Sequence, residues 1–220
     1  MLRIEGIDVA IGSVSILREV TLAVARGQFA GLIGRNGAGK TTLLRTVMGL
    51  LQPRRGSLRF EGTSLDGVPA HLRSRRGIGY MPEDRRLVPD LTVEENILLP
   101  AWAAHLPDAA GRLERIYRTI PEVQRLGQSK ALQLSGGQQK LVALARALMS
   151  GTRLLLLDEP FEGVAPVLAR RLAEVIGQLK REGLAAVLCE SDLTHSREML
   201  DVVFTIDRGA VTPRPRDNPP

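Results

Sequence analysis

The chain has 220 residues, enough for one substantial core or two small ones, and its 30 lysines and arginines exceed 24 acidic residues to give a formal charge of +6. Its basic residues are dispersed without a block of five like charges, and aromatic residues make up only 3%, which argues against a base-stacking platform for single-stranded nucleic acid. Cys189 is the only cysteine, which excludes an internal disulfide and a cysteine-built zinc site and suits a reducing cytosol.

In chain order, Arg3, Glu5 and Asp8 interrupt the N-terminus, so no signal-peptide core is expected there, and no uncharged run reaches the ~18 residues of a membrane span. Leu2, Ile4, Ile7 and Val9, then Ile16, Val20, Leu22 and Val24, suggest antiparallel strands. A short apolar strand from Phe29 to Ile33 runs into the octet GRNGAGKT at 34–41. Leu43, Leu44, Val47 and Met48 then recur at helical spacing until Gly49. Between about 84 and 150 the pattern turns helical, with Leu113, Ile116, Tyr117 and Ile120 on one helix and Leu141, Leu144, Ala145 and Leu148 on another. Leu154 to Leu157 form a continuous apolar run ending in Asp158 and Glu159, as a parallel strand buried on both faces requires. A helix over roughly 167–180 and strands over 184–189 and 202–206 complete the alternation. The expected fold is α/β: one domain over 1–212, with a mainly parallel sheet, an N-terminal antiparallel β subdomain and an inserted helical subdomain. Four prolines in the ending TPRPRDNPP predict disorder over 213–220. Val187 and Leu188 beside Cys189 predict a buried, inert thiol.

The octet fits G-x-x-x-x-G-K-[ST], the phosphate loop. Gly34, Gly37 and Gly39 free the backbone of Arg35, Asn36 and Ala38 to turn several N–H groups onto one phosphate, and the helix start at Lys40, Thr41 and Thr42 adds its positive dipole end. Lys40 can reach the β- and γ-phosphates of ATP, and the Thr41 hydroxyl can ligate Mg2+. Asp158 would hold the same ion, directly or through water, and Glu159 would orient or deprotonate an attacking water. An apolar run followed by Asp-Glu is a weak signal alone, and the ordinary reading of the octet is a glycine-rich turn. Together the two stretches point to nucleotide hydrolysis.

LSGGQQ at 134–139 narrows the class. Here the chain resembles the ATP-binding cassette (ABC) ATPases, whose signature reads LSGGQ, and the resemblance covers residues 2–211. It implies that Ser135, Gly136, Gly137 and Gln138 cap the γ-phosphate bound by a second subunit, so that two chains sandwich two ATPs as a homodimer or a heterodimer. The ordinary reading is a serine N-cap of a surface helix. YMPEDRR at 80–86, LTVEEN at 91–96 and FEGVAP at 161–166 resemble the importers of branched-chain amino acids. In that group Glu83 takes the place of a site-lining glutamine that senses the γ-phosphate and Mg2+. Two departures stand out: Ile11 falls where the family stacks an aromatic ring on adenine, and Ser191 falls where it has a switch histidine, with His195 one turn later. The implied protein is an ATPase at the cytoplasmic face of the cell membrane, peripheral to transmembrane permease subunits and indirectly served by a solute-binding protein. Nucleic acid is not an expected partner. The alternatives are a soluble ABC ATPase acting on nucleic acid or the ribosome, which would carry coiled-coil insertions or tandem units not found here, and a weakly hydrolysing regulatory subunit.

Overall fold

The computed structural model describes residues 1–214. Its N-terminal part is a four-stranded antiparallel sheet in the order β2-β1-β4-β5, built from β1 (Leu2–Ile11), β2 (Val14–Val24), β4 (Arg55–Phe60) and β5 (Thr63–Ser64). The second sheet has six strands in the order β10-β9-β3-β8-β7-β6. In it β3 (Phe29–Ile33), β6 (Ile78–Met81), β7 (Leu154–Asp158), β8 (Ala185–Glu190) and β9 (Val202–Asp207) run parallel, and β10 (Ala210–Arg214) returns antiparallel along the β9 edge.

Burial on both faces explains the uninterrupted apolar runs. Leu155 and Leu157, with Ala186 and Leu188, point into one core, whereas Leu154 and Leu156, with Val187 and Cys189, point into the other. The first core is closed by α3 (Val93–Ala104), α4 (Ala109–Thr119), α6 (Gly136–Ser150) and α7 (Pro166–Arg181). The second is closed by the antiparallel sheet and by α1 (Lys40–Val47). Parallel strands alternating side chains between two hydrophobic layers need no polar face. Between 84 and 150 every named element is a helix, including the short α5 (Pro121–Arg125). Cys189 is fully buried, and desolvation raises its thiol pKa well above normal, as the inert-thiol reading expects.

The expected disorder from 213 is corrected in part. Pro213 and Arg214 belong to β10, opposite Phe204 and Val203. A proline is tolerated there because β10 is an edge strand, whose outer side needs no ladder donor. Residues 215–220 lie outside the described residues.

Helix α1 has its C-terminus fixed by an arginine that reads in sequence as surface. Arg73, on α2 (Ala70–Arg75), is fully buried. Its Nη1 donates to the carbonyls of Thr46 at 2.9 Å and Val47 at 2.7 Å, Nη2 to Leu65 at 2.7 Å, and Nε to Val68 at 2.8 Å. A cation on the last carbonyls of a helix satisfies orphan acceptors and complements the dipole. Replacing Arg73 with Met would leave four carbonyls short of a donor, so Arg73→Met is expected to lower the unfolding free energy by about 3 kcal/mol. Chemical denaturation measures this directly, and a loss under ~1 kcal/mol would contradict the capping role.

Candidate functional site

The octet forms the turn between β3 and α1, and its glycines serve different needs. Gly37 (φ 81°) and Gly39 (φ 115°) occupy left-handed backbone that a side chain disfavours. Gly34 has no such φ; it is required for space, because a Cβ there would lie 2.3 Å from the Ile206 carbonyl oxygen. The sequence reading, which gave all three glycines one conformational reason, is corrected on this point. No side chain caps α1 and no acid stands in its first turn, whereas α3 and α6 carry capping boxes at Thr92/Glu95 and Ser135/Gln138. The first N–H groups of α1 are therefore left to an anion.

Lys40 is 5% exposed and folds back over the loop. Its Nζ donates to the carbonyls of Gly34 at 2.5 Å and Arg35 at 3.2 Å, and pairs with Glu159 Oε1 at 3.0 Å. Glu159 sits one residue past β7 with φ 47°, a left-handed conformation that costs a residue with a side chain roughly 1 kcal/mol or more. Four contacts hold it there. Its N–H donates to the Cys189 carbonyl at 2.9 Å and its own carbonyl accepts from Lys140 Nζ at 2.6 Å. Ser191 supplies the other two, its N–H to Oε2 at 3.2 Å and its Oγ to Oε1 at 2.8 Å. Ser191 Oγ also lies 3.0 Å from Asn36 Oδ1, and its single proton goes to the carboxylate, the stronger acceptor.

Beside this group, the Thr41 hydroxyl donates to Asp158 Oδ1 at 3.2 Å and the Tyr80 hydroxyl to Oδ2 at 3.3 Å. Burial, reinforced by the charges of Glu83 and Glu159, pushes the Asp158 carboxyl up to about 6 against the hydrogen bonds from Thr41 and Tyr80. The donor set fits Mg2+: a hydroxyl and a carboxylate oxygen side by side, with no cluster of three His, Cys, Asp or Glu side chains able to hold a metal among the described residues. Mg2+ takes one or two protein oxygens and completes its shell with phosphate and water.

The remaining expected residues are placed less centrally. Glu83 is exposed but near enough to raise the Asp158 pKa. Ser135, Gly136, Gly137 and Gln138 open α6, where the Ser135 side chain accepts from the Gln138 N–H at 3.3 Å. The ordinary N-cap reading is thus correct locally, yet a capping hydroxyl keeps a proton to donate. Ile11 is 49% exposed at the end of β1, opposite Val14. His195 is exposed, its ring 5.5 Å from that of Phe161, and among the described residues no hydrogen bond joins it to the group around Lys40.

Several residues escaped the sequence reading. Arg85 Nη1 donates to Gln139 Oε1 at 3.0 Å and to the Gly136 carbonyl at 3.4 Å, and Arg146 Nη1 donates to the Arg86 carbonyl at 2.7 Å. The segment carrying Glu83 is therefore bolted to the helix carrying the signature. Lys140 is 3% exposed; its one sequence signal is a cation four residues before Leu144, on the apolar side of α6. Glu190 is 6% exposed and lies against Glu159, with Lys140 and Asp192 nearby.

Burial and the neighbouring Glu159 push the Glu190 carboxyl up to about 9, so it is neutral at pH 7. A folded-state pKa above the unfolded value means the native state holds the proton more tightly, and stability falls as pH rises from about 4.5 to about 9. Glu190→Gln keeps a neutral donor and removes that penalty. The variant's stability advantage should grow steadily between pH 5 and 9, by roughly 1 kcal/mol or more per pH unit. Denaturation curves across that range test it, and a constant difference would contradict it.

Comparison with known proteins fits this geometry. The family profile described as ABC transporter matches residues 17–162. The chain is 36% identical over 211 residues to the high-affinity branched-chain amino acid transport ATP-binding protein BraG of Pseudomonas aeruginosa, covering 96% of this chain and 91% of that protein. It is 30% identical over 196 residues to the lipopolysaccharide export system ATP-binding protein LptB of Escherichia coli K12, covering 88% and 81%. Among solved structures, a nucleotide-free ATP-binding cassette from an ABC transporter superposes with a TM-score of 0.83 at 27% identity, covering 96% of this chain and 89% of the other. The ADP conformation of MJ1267, an ATP-binding cassette of an ABC transporter, gives the same values. The chain belongs to the ABC transporter family, as one of its ATP-hydrolysing subunits.

Proposed function

We propose that the chain powers an importer of branched-chain amino acids or similar small solutes, binding MgATP on residues 34–42 and hydrolysing it with Glu159 as the base. The observation that carries the catalytic part is the convergence of Lys40, Thr41, Asp158, Glu159 and Ser191 within hydrogen-bonding distance at the ends of β3, β7 and β8. Mg2+, held by Thr41 and Asp158, would neutralise charge developing on the phosphates. Lys40 releases Glu159 when the β- and γ-phosphates take its charge. The freed carboxylate stays aimed by Ser191 and accepts a proton from water. Ser135 and the N–H groups at the start of α6 donate to the γ-phosphate of a second copy or a related ATPase, completing its site. Arg85 and Arg146 carry the state of the Glu83 segment to the signature helix. Ile11 covers the adenine without stacking.

Transport requires partners. Among the described residues no helix is long and apolar enough to cross a membrane, so separate permease subunits form the pathway and this chain docks at their cytoplasmic face. A solute-binding protein acts on those subunits rather than on this chain. The import assignment rests on the resemblance to BraG and on the YMPEDRR and FEGVAP segments. The similarity to LptB favours a second reading, an export ATPase. Identifying the membrane subunits that copurify separates the two.

Lys40→Ala should weaken ATP binding at least ~100-fold, the consequence of losing a charge-assisted phosphate contact together with the partner of a buried carboxylate. Glu159→Gln should bind ATP no more weakly than the wild type and lose about 100-fold or more in turnover. Equilibrium binding and phosphate release measure both; full hydrolysis by Glu159→Gln removes the base assignment. Ser191→Ala removes the Oγ contact to Glu159 Oε1 and leaves only the backbone N–H of residue 191 to aim the carboxylate. Turnover should fall about tenfold at unchanged nucleotide affinity, and an unaltered rate would show that Ser191 does not position the base.

A further inference from the structure

Strands β6 and β7 are parallel, so the ends that open at Ile78 and Leu154 lie far from Asp158. Five residues of extended strand separate Arg153 from Asp158, about 16 Å at ~3.3 Å per residue. At that far end Arg75 and Arg76 from the end of α2, Arg112 from α4 and Arg153 ahead of β7 line one cavity of about 480 Å³, with Thr63 and Thr152 in its wall. Glu61, the single carboxylate in the wall, is already paired with Arg26.

The way these cations are held matters more than their number. Arg75 Nε donates to the Ala104 carbonyl at 2.6 Å, Arg76 Nη1 to Ser64 at 3.0 Å, and Arg112 to Met149 through Nη1 at 2.9 Å and to Pro107 through Nε at 3.0 Å. A main-chain carbonyl fixes a guanidinium without cancelling its charge. Arg153 is exposed, and among the described residues its guanidinium makes no hydrogen bond and no ion pair. A merely solvated basic face would let four like charges diverge into water. Here three are anchored around a shared cavity, which keeps repulsion in place until an anion relieves it. Guanidinium forks match phosphate oxygens in pairs, and the two threonine hydroxyls add neutral donors.

We propose that this cleft binds a small anion carrying adjacent phosphate groups, at a site separate from the phosphate loop and independent of the catalytic roles given to Lys40 and Glu159. The test uses tripolyphosphate and the full chain carrying Lys40→Ala, so that the phosphate loop contributes little. Titration calorimetry should show one saturable, salt-sensitive site. Adding Arg153→Glu should weaken that site about tenfold or more. Among the described residues the Arg153 side chain has no hydrogen bond to lose, and its main-chain bonds to Gly77 and Ala185 survive substitution, so folding should be unaffected, and an unchanged melting temperature without ligand checks this. Should the reversal disturb folding, Arg153→Gln carries the test, with a loss of about threefold or more expected. No binding to the Lys40→Ala chain, equal affinity with and without the Arg153 substitution, or binding only to phosphatidylglycerol vesicles would each overturn the assignment.

Discussion

The ion pair between Lys40 and Glu159 is the constraint around which the site is arranged. Both side chains are almost wholly buried, and they meet at 3.0 Å. Burying either charge alone would cost several kcal/mol, whereas the pair is near neutral in net effect because attraction offsets desolvation. Such a pair adds little to stability but responds strongly to a third charge. A polyphosphate arriving on the loop competes for the lysine, and what it displaces is the very carboxylate a hydrolysis reaction needs. Phosphate binding and release of the base are thereby one event rather than two.

Everything around the pair restricts its freedom to move elsewhere. Parallel strands packed between two hydrophobic layers bring the ends of β3, β7 and β8 to one edge. The left-handed backbone at Glu159 turns its side chain toward the loop, and Lys140, Cys189 and Ser191 hold it in that conformation. Neutral Glu190 lies against the same carboxylate without adding a second negative charge at pH 7. Arg73 fixes the far end of α1, so the helix that presents Lys40 is pinned at both termini. The connection between the Glu83 segment and α6 through Arg85 and Arg146 gives the site a rigid path to the surface that a neighbouring subunit would meet.

Much of this was legible in the sequence, for definite reasons. Strands β3, β7 and β8 are buried on both faces and therefore read as unbroken apolar runs, and the octet announces its own turn and helix. The expected α/β architecture, with its antiparallel subdomain and helical insertion, agrees with the structure. What was missed depends on long-range packing. Strand β6 hides because Gly79 interrupts it, and that glycine is there because a Cβ would stand 2.1 Å from the Ala147 carbonyl oxygen. Arg73, Lys140 and Glu190 read as solvated charges, since nothing local reveals that distant carbonyls and carboxylates converge on them. Pro213 of β10 reads as disorder because sequence does not disclose an edge strand.

The most direct test is a structure of the wild-type chain with magnesium and a non-hydrolysable ATP analogue. The account predicts that Lys40 Nζ has left Glu159 and lies within hydrogen-bonding reach of β- and γ-phosphate oxygens, with the Glu159 carboxylate still held by Ser191. A bound analogue with Lys40 still paired to Glu159 would contradict it.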